Sequence, residues 1–459
     1  MSSPLQPLPS SNNSASNSSR REFLKTSGVA MAGAGLAATL GIARQAHAAQ
    51  NDDAIRVALI GCGGRGGGAV LDAMSTGNNI KLVAMADAFK DRLDAKYDDL
   101  KKAAGDKIAV DDDHKFVGFD AYQKAIDSGV DLVILATPPG FRPIHFNAAV
   151  QANKNIFMEK PVATDPAGVR KVLQTNEEAK RRNLIVGVGL QRRHQPGYLE
   201  ALKRYKDGAI GELVAARAYW NGDRPHATPR QKDRDATKTE MEYQMRNWYF
   251  YVWLCGDHIV EQHIHNLDVI NWFKGETPVR AVGMGGSQVP RQPGDGEIYD
   301  HHAVEFQYAD GSRVFSQCRQ ISGCWGQVSE HIHGTKGAVH LDAGANRYSV
   351  NVNGGEAWNW KNSGSGPMPN PYQIEHADMQ AAIKNGGSYN EADYGAKSTM
   401  TAILGRLATY SGKEISWEDA FNSKLSIMPT EFSWDAKMPV NPGPGGMYPQ
   451  AIPGLTKVI

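Results

Sequence analysis

Short, mostly apolar runs alternate with amphipathic stretches through the first half of the chain. AIRVALIG (Ala54 to Gly61), IKLVAMAD (Ile80 to Asp87), VDLVILAT (Val130 to Thr137), NIFMEK (Asn155 to Lys160) and NLIVGVGL (Asn183 to Leu190) are the clearest. Such runs suit strands buried on both faces, whereas a half-exposed strand would alternate apolar with polar. Between them, Arg142 to Ala152 and Pro166 to Arg181 carry apolar residues at helical spacing. Strand, helix, strand in this rhythm predicts a parallel sheet covered on both sides, one doubly wound α/β domain over residues 52–190.

The second half changes pattern. From Gly211 strand-like runs follow one another across tight turns, as in HAVEFQYADGSRVFSQCRQ (His301 to Gln320), where Asp310-Gly311 is a hairpin turn. Consecutive hairpins predict an α+β domain with a large, mainly antiparallel open sheet over residues 191–418. One long helix carrying GDHIVEQHIHNLD (Gly256 to Asp268) interrupts the strands, and Gln373 to Lys384 and Ala392 to Tyr410 also read as helices. Residues 419–459 form a Pro/Gly-rich extended tail that either runs free or clasps a neighbour.

Composition narrows the function. The 459 residues are 41% hydrophobic and 22% charged, with a formal net charge of +1. Because Arg20, Arg21, Lys25 and Arg44 outweigh Glu22 at the start, the remainder is slightly acidic, with no basic surface to track nucleic acid. That start is itself informative: SRREFLK (Ser19 to Lys25) precedes a Gly/Ala-rich apolar run from Val29 to Ala43 and the small-x-small AHA (Ala46 to Ala48). It resembles a twin-arginine export signal over residues 1–48, which predicts an exported, periplasmic protein with no membrane anchor after cleavage. That route carries folded proteins, often with a cofactor in place. Cys62, Cys255, Cys318 and Cys324 show no metal-ligand spacing and read mainly as buried thiols.

ALIGCGGRGGGAV sets Gly61, Gly63 and Gly66 in the GxGxxG spacing between a strand and a helix, with Gly64 and Arg65 inside the loop. Glycines there allow a tight turn and let backbone N–H groups approach a pyrophosphate at the helix N-terminus. Asp87 ends the second strand, where an acid accepts from the adenosine ribose hydroxyls and repels a 2′-phosphate, so NAD is favoured over NADP.

At FMEKPVATD (Phe157 to Asp165) a Glu-Lys-Pro tripeptide ends the fifth strand, behind a Rossmann half and ahead of an antiparallel sheet. With ATPPGFRPIH (Ala136 to His145) and LQRRHQPGY (Leu190 to Tyr198), this resembles the Gfo/Idh/MocA oxidoreductases over nearly the whole mature chain. The resemblance implies hydride transfer between a nicotinamide and a sugar or cyclitol carbon. It places Lys160 beside nicotinamide and substrate, Glu159 and Pro161 around that end of the pocket, and Thr137, Pro138 and His145 along the cofactor. It makes His265 the second proton-handling residue, in an acid-x-x-x-His pattern where Glu261 replaces the usual aspartate. Oxidising an alcohol independently calls for a proton acceptor and a donor that polarises the emerging oxyanion, which Lys160 and His265 can supply.

On one continuous helix, His258, Glu261, His265, Asp268 and Trp272 share a sector of roughly 80°, while His263 points with the apolar face into the core. The shared sector reads as proton-handling and sugar-binding without a metal; the open alternative is a divalent ion held by His258, Glu261 and His265. Trp248, Tyr249 and Tyr251 offer faces for a pyranose, and Arg193, Asp223 and His226 are further polar candidates.

Outside the cytoplasm no NAD pool is replenished, so export implies a cofactor held tightly through several turnovers. The leading expectation is an oxidoreductase acting on a sugar, cyclitol or glycoside. The alternatives are a redox-neutral glycosidase that oxidises transiently, and a non-catalytic dinucleotide-binding protein. The open sheet face is expected to bury in a homo-oligomer, a dimer or tetramer.

Overall fold

The computed structural model describes residues 54–459 apart from 227, 228, 230 and 363–367, so the leader lies outside the described residues. Six strands, β1 (Ile55–Ile60), β2 (Ile80–Asp87), β3 (Lys115–Val117), β4 (Leu132–Leu135), β5 (Asn155–Met158) and β6 (Val186–Val188), form one sheet in the order β3-β2-β1-β4-β5-β6. Every pairing in it is parallel. The near-continuous apolar character of β1 and β4 is explained by their central places, where neither face meets water. β3 went unanticipated because three partly exposed residues carry too little pattern to distinguish a strand from a loop. Strand order reverses between β1 and β4, the point at which such sheets open a crevice for a ligand.

The second sheet has nine strands: β7 (Leu213–Gly222), β8 (Arg280–Gly286), β9 (His301–Gln307), β10 (Arg313–Gln320), β11 (Gln327–Gly334), β12 (Gly337–Asp342), β13 (Arg347–Val352), β14 (Trp358–Asn359) and β15 (Ile415–Ser416). All its pairs are antiparallel except β7 with β10. Helices Ile264–Lys274 and Ala392–Ser411 cover one face. The opposite face leaves Val214, Met284 and Phe315 exposed. Helix Ala392–Ser411 also packs on helix Pro166–Arg181 of the first domain, which joins the two cores.

Two expectations are corrected. The helix predicted through Gly256 to Asp268 is two pieces, His258–Glu261 and Ile264–Lys274. Between them His263 N donates to His258 O, five residues back, at 3.2 Å. Such a widening inserts one residue into the turn and rotates the downstream residues by about 100°. The sector drawn for a continuous helix therefore comes apart. The tail, secondly, clasps its own chain: Trp434 packs on Phe89 and Phe119, Ile427 N donates to Asp165, and Tyr448 is buried. All four cysteines are free thiols, Cys324 being the exposed one. Among the described residues no helix is long and apolar enough to cross a membrane.

Candidate active site

A cavity of about 600 Å³ opens at the β1/β4 crevice and runs from the glycine loop to the helices of the second domain. Gly61 has φ +100°, and a Cβ there would lie 2.5 Å from Thr137 N, so no side chain is tolerated. At Gly63 and Gly64 a Cβ would meet nothing within 4 Å; both positions border the cavity. Helix Gly64–Met74 starts there with no side-chain cap and no acid in its first turn. Its backbone N–H groups and positive dipole end thus face an anion-sized space, which fits a pyrophosphate. Gly66 does not line the cavity; its Cβ would stand 2.1 Å from Gly61 O, so it serves close packing of the turn.

Asp87 lines the same cavity, its carboxylate accepting from Cys62 N at 2.7 Å and Phe89 N at 2.9 Å. It therefore shapes the loop as well as facing the ligand. Arg65 reaches toward the second domain, pairing with Glu159 at 2.5 Å and Asp72 at 3.2 Å and lying over Tyr372. These partners hold its guanidinium away from Asp87.

The ends of β4 and β5 supply the next wall. Thr137 and Pro138 line it, and buried Arg142 donates to the Thr137 and Glu159 carbonyls. His145 stacks on Tyr122 at 4.3 Å and meets Thr137 Oγ1 at 3.2 Å. Burial, with the Arg142 charge, pushes the His145 imidazole down to about 3, so it is neutral.

Lys160, Glu261 and His265 meet at the far end. Lys160 Nζ donates to the Glu261 carbonyl and, at 2.9 Å, to Glu261 Oε1. Two of the three ammonium donors are thereby used. Burial raises the Glu261 carboxyl, and the lysine charge opposes that rise. Burial, aided by the charges of Lys160, Arg192 and Arg65, holds His265 well below the usual histidine range. Its Nδ1 is buried without a hydrogen-bond partner, and its ring stacks on Trp220 at 5.8 Å. Glu261 was expected to orient His265; it binds Lys160 instead, because the widened turn separates the two side chains.

Three expected substrate contacts lie elsewhere. Arg193 is paired with Asp268 at 2.8 Å between Trp272 and Tyr394, outside the cavity. Tyr249 is buried in the aromatic core segment, with Gln320 donating to its hydroxyl. His258 is fully buried on Asp257, so it cannot contact a sugar or share an ion with Glu261 and His265. His263 sits in the core as expected, satisfied by Ser316 Oγ at 2.7 Å. Trp248 and His226 do line the cavity, whereas Asp223 is exposed away from it. Trp220, Gln262 and Tyr372 also line it and went unforeseen, being brought in by tertiary folding from three separate elements. Only Gln262 carried a signal, its place between Glu261 and His265.

Comparison with known proteins agrees with this geometry. Residues 55–190 match the model of the oxidoreductase family with an NAD-binding Rossmann fold, and residues 198–340 match the GFO/IDH/MocA C-terminal domain. An inositol 2-dehydrogenase of Rhizobium meliloti (strain 1021) is 28% identical over 286 residues, 62% of this chain and 74% of that protein. A glycosyl hydrolase family 109 protein of Solibacter usitatus (strain Ellin6076) is 30% identical over 213 residues, 45% of this chain and 46% of that one. A levoglucosan dehydrogenase solved with NADH and levoglucosan shares the fold at a TM-score of 0.65 and 17% identity, covering 79% of this chain and 99% of that chain. With a dinucleotide cradle on one sheet, a lysine–histidine end closed by the other, and family matches across more than half of its length, the chain belongs to the Gfo/Idh/MocA oxidoreductases.

Proposed function

We propose that the protein is an exported, NAD-linked oxidoreductase acting on a CH–OH group of a sugar or cyclitol, with the dinucleotide retained between turnovers. The observation that carries this reading is the convergence of Lys160 and His265 at one end of a cavity whose other end is the glycine loop. The dinucleotide, when bound, takes up or returns the hydride. The neutral imidazole of His265 accepts the hydroxyl proton: with Nδ1 buried, Nε2 is the atom left to face the cavity. Lys160 turns its third N–H on the emerging oxygen while Glu261 fixes the other two. Trp220 and Trp248 offer faces for the C–H side of a ring, which favours a carbohydrate over a small hydroxy acid. Arg65 being committed to Glu159 and Asp72 favours NAD over NADP.

Retention is supported by the SRREFLK leader and by the tail, whose Trp434 backs Phe89 and Phe119 on the cavity wall. A second reading, redox-neutral glycoside cleavage through transient oxidation, is favoured by the likeness to the family 109 glycosyl hydrolase and uses the same two residues. The test is to purify the exported form, identify any released dinucleotide, and screen sugars, cyclitols and glycosides by mass spectrometry. A keto product supports the first reading and a cleaved, unoxidised product the second. Absence of dinucleotide binding together with no turnover refutes both, and leaves ligand binding alone.

A further inference from the structure

Behind the active-site wall lies a second polar cluster that the hydride chemistry does not use. Asp257 and His258 precede and open the short helix that ends at Glu261, His302 is on β9, and Cys318 of β10 is its register partner. All four are buried in the core, at most 2% exposed. Among the described residues, Asp257, His258 and His302 form the one group whose carboxylate and imidazole atoms lie within 4.8 Å of one another in an arrangement able to hold an ion.

We propose that Asp257, His258 and His302 form a buried three-ligand site for a divalent metal ion of the zinc class, separate from the dinucleotide cavity. Distance is the first argument. Asp257 Oδ1 is 3.0 Å from His258 Nδ1 and 3.4 Å from His302 Nε2. Bonds of about 2.1 Å to a tetrahedral ion put neighbouring ligand atoms about 3.4 Å apart. The 3.4 Å at His302 matches that spacing, while the 3.0 Å at His258 is the length of an ordinary hydrogen bond.

Proton placement is the second. The Thr409 hydroxyl donates to the Arg406 carbonyl, so toward His302 Nδ1, 2.9 Å away, it is an acceptor. The His302 ring proton therefore resides on Nδ1, and Nε2 points a bare lone pair at the Asp257 carboxylate. Two lone pairs face each other unless a cation lies between them. His302 Nε2 makes no hydrogen bond, although it is fully buried. A bound ion would give that nitrogen the partner it lacks. The hydroxyl behind His302 is the outer partner that fixes a metal-binding imidazole's tautomer.

Backbone geometry is the third. Asp257 adopts φ +74° and ψ 161°, a strained region nearly reserved for glycine. Its other oxygen accepts from Tyr299 N and the Tyr410 hydroxyl, so the strained residue is held from both sides with Oδ1 aimed at the two imidazoles. An ion there would tie the segment ahead of Glu261 to β9 and to helix Ala392–Ser411. It would act as a positioning device for Glu261 and Lys160, not as part of the chemistry.

The experiment is elemental analysis of the full-length purified protein, followed by chelation and titration with Zn²⁺ or Co²⁺. One equivalent of metal per chain is expected, and Co²⁺ should give the intense visible bands of a tetrahedral site. His302→Gln should abolish binding, while Glu261→Gln and Cys324→Ser keep it. His258→Gln keeps the test decisive should His302→Gln fail to fold, because undiminished metal binding in folded His258→Gln would equally overturn the proposal. Metal well below one equivalent with no cobalt spectrum in folded wild type would overturn the proposal, leaving a metal-free polar cluster. So would binding that survives in folded His302→Gln, or that Glu261→Gln abolishes.

Discussion

Replacing Lys160 by methionine tests how the active-site end is balanced. The Lys160–Glu261 pair is 2.9 Å long and each side chain is 11% exposed, so solvent screens it little. Methionine keeps most of the volume but leaves the Glu261 carboxylate buried without a cation. Removing one partner of a buried pair costs about 3 kcal/mol. In the ionisation equilibrium that is a factor of roughly 150. Burial already raises the Glu261 carboxyl in the folded protein, and losing the lysine raises it further. A raised group binds more protons folded than unfolded, so stability falls as pH climbs from the unfolded value of about 4.3 to the folded value, then levels. The destabilisation of Lys160→Met relative to wild type should accordingly be small near pH 4.5 and grow through neutral pH towards about 3 kcal/mol. Equilibrium urea unfolding of both proteins across that range reads it directly. An equal difference at both ends would show that Glu261 is not the residue Lys160 neutralises.

Gly63→Ala should fold with a melting temperature close to wild type yet bind dinucleotide at least tenfold more weakly by calorimetry, since its Cβ enters only the cavity. Gly66→Ala should instead lower the melting temperature, because its Cβ collides with Gly61 O at 2.1 Å; the reverse pattern would show that the two glycines have exchanged roles. His265→Asn should slow hydride transfer about 10²–10⁴-fold in single-turnover nicotinamide fluorescence while dinucleotide content stays unchanged. An unimpaired rate would remove His265 from the proton path. Trp434→Ala, which uncovers Phe89 and Phe119, should speed dinucleotide release in a stopped-flow chase, and an unchanged release rate would reduce the tail to a structural strap.

How much of this was legible in the sequence depended on whether the signal was local. The parallel sheet could be read because central strands such as β1 and β4 are apolar at consecutive positions, and the Asp310-Gly311 turn marked the β9–β10 hairpin. The glycine loop, Asp87, Lys160 and His265 each sit at a strand end or helix start that their neighbours define, and the structure brings all of them to one cavity. His258 was misplaced because the helical wheel assumed constant pitch, and the bond from His263 N to His258 O breaks that pitch. No periodicity in the sequence reveals that widening, nor the helix start at His258 behind a Gly256-Asp257 step with positive φ at both residues. Arg193 was read as a candidate substrate contact because its ion-pair partner Asp268 is distant in sequence. The tail gave composition without direction: only the tertiary contacts of Phe432, Trp434 and Tyr448 show what it holds.

The central claim is that one cavity joins a bound nicotinamide to a carbohydrate hydroxyl through Lys160 and His265. The most direct measurement is anaerobic mixing of NAD-loaded protein with a panel of sugars, cyclitols and glycosides, following nicotinamide reduction and analysing products by mass. Wild type should reduce its nicotinamide, or cleave a glycoside through transient reduction, with at least one member of the panel, and both Lys160→Met and His265→Asn should lose that signal while remaining folded and loaded. Full activity in either folded, loaded variant would contradict the account.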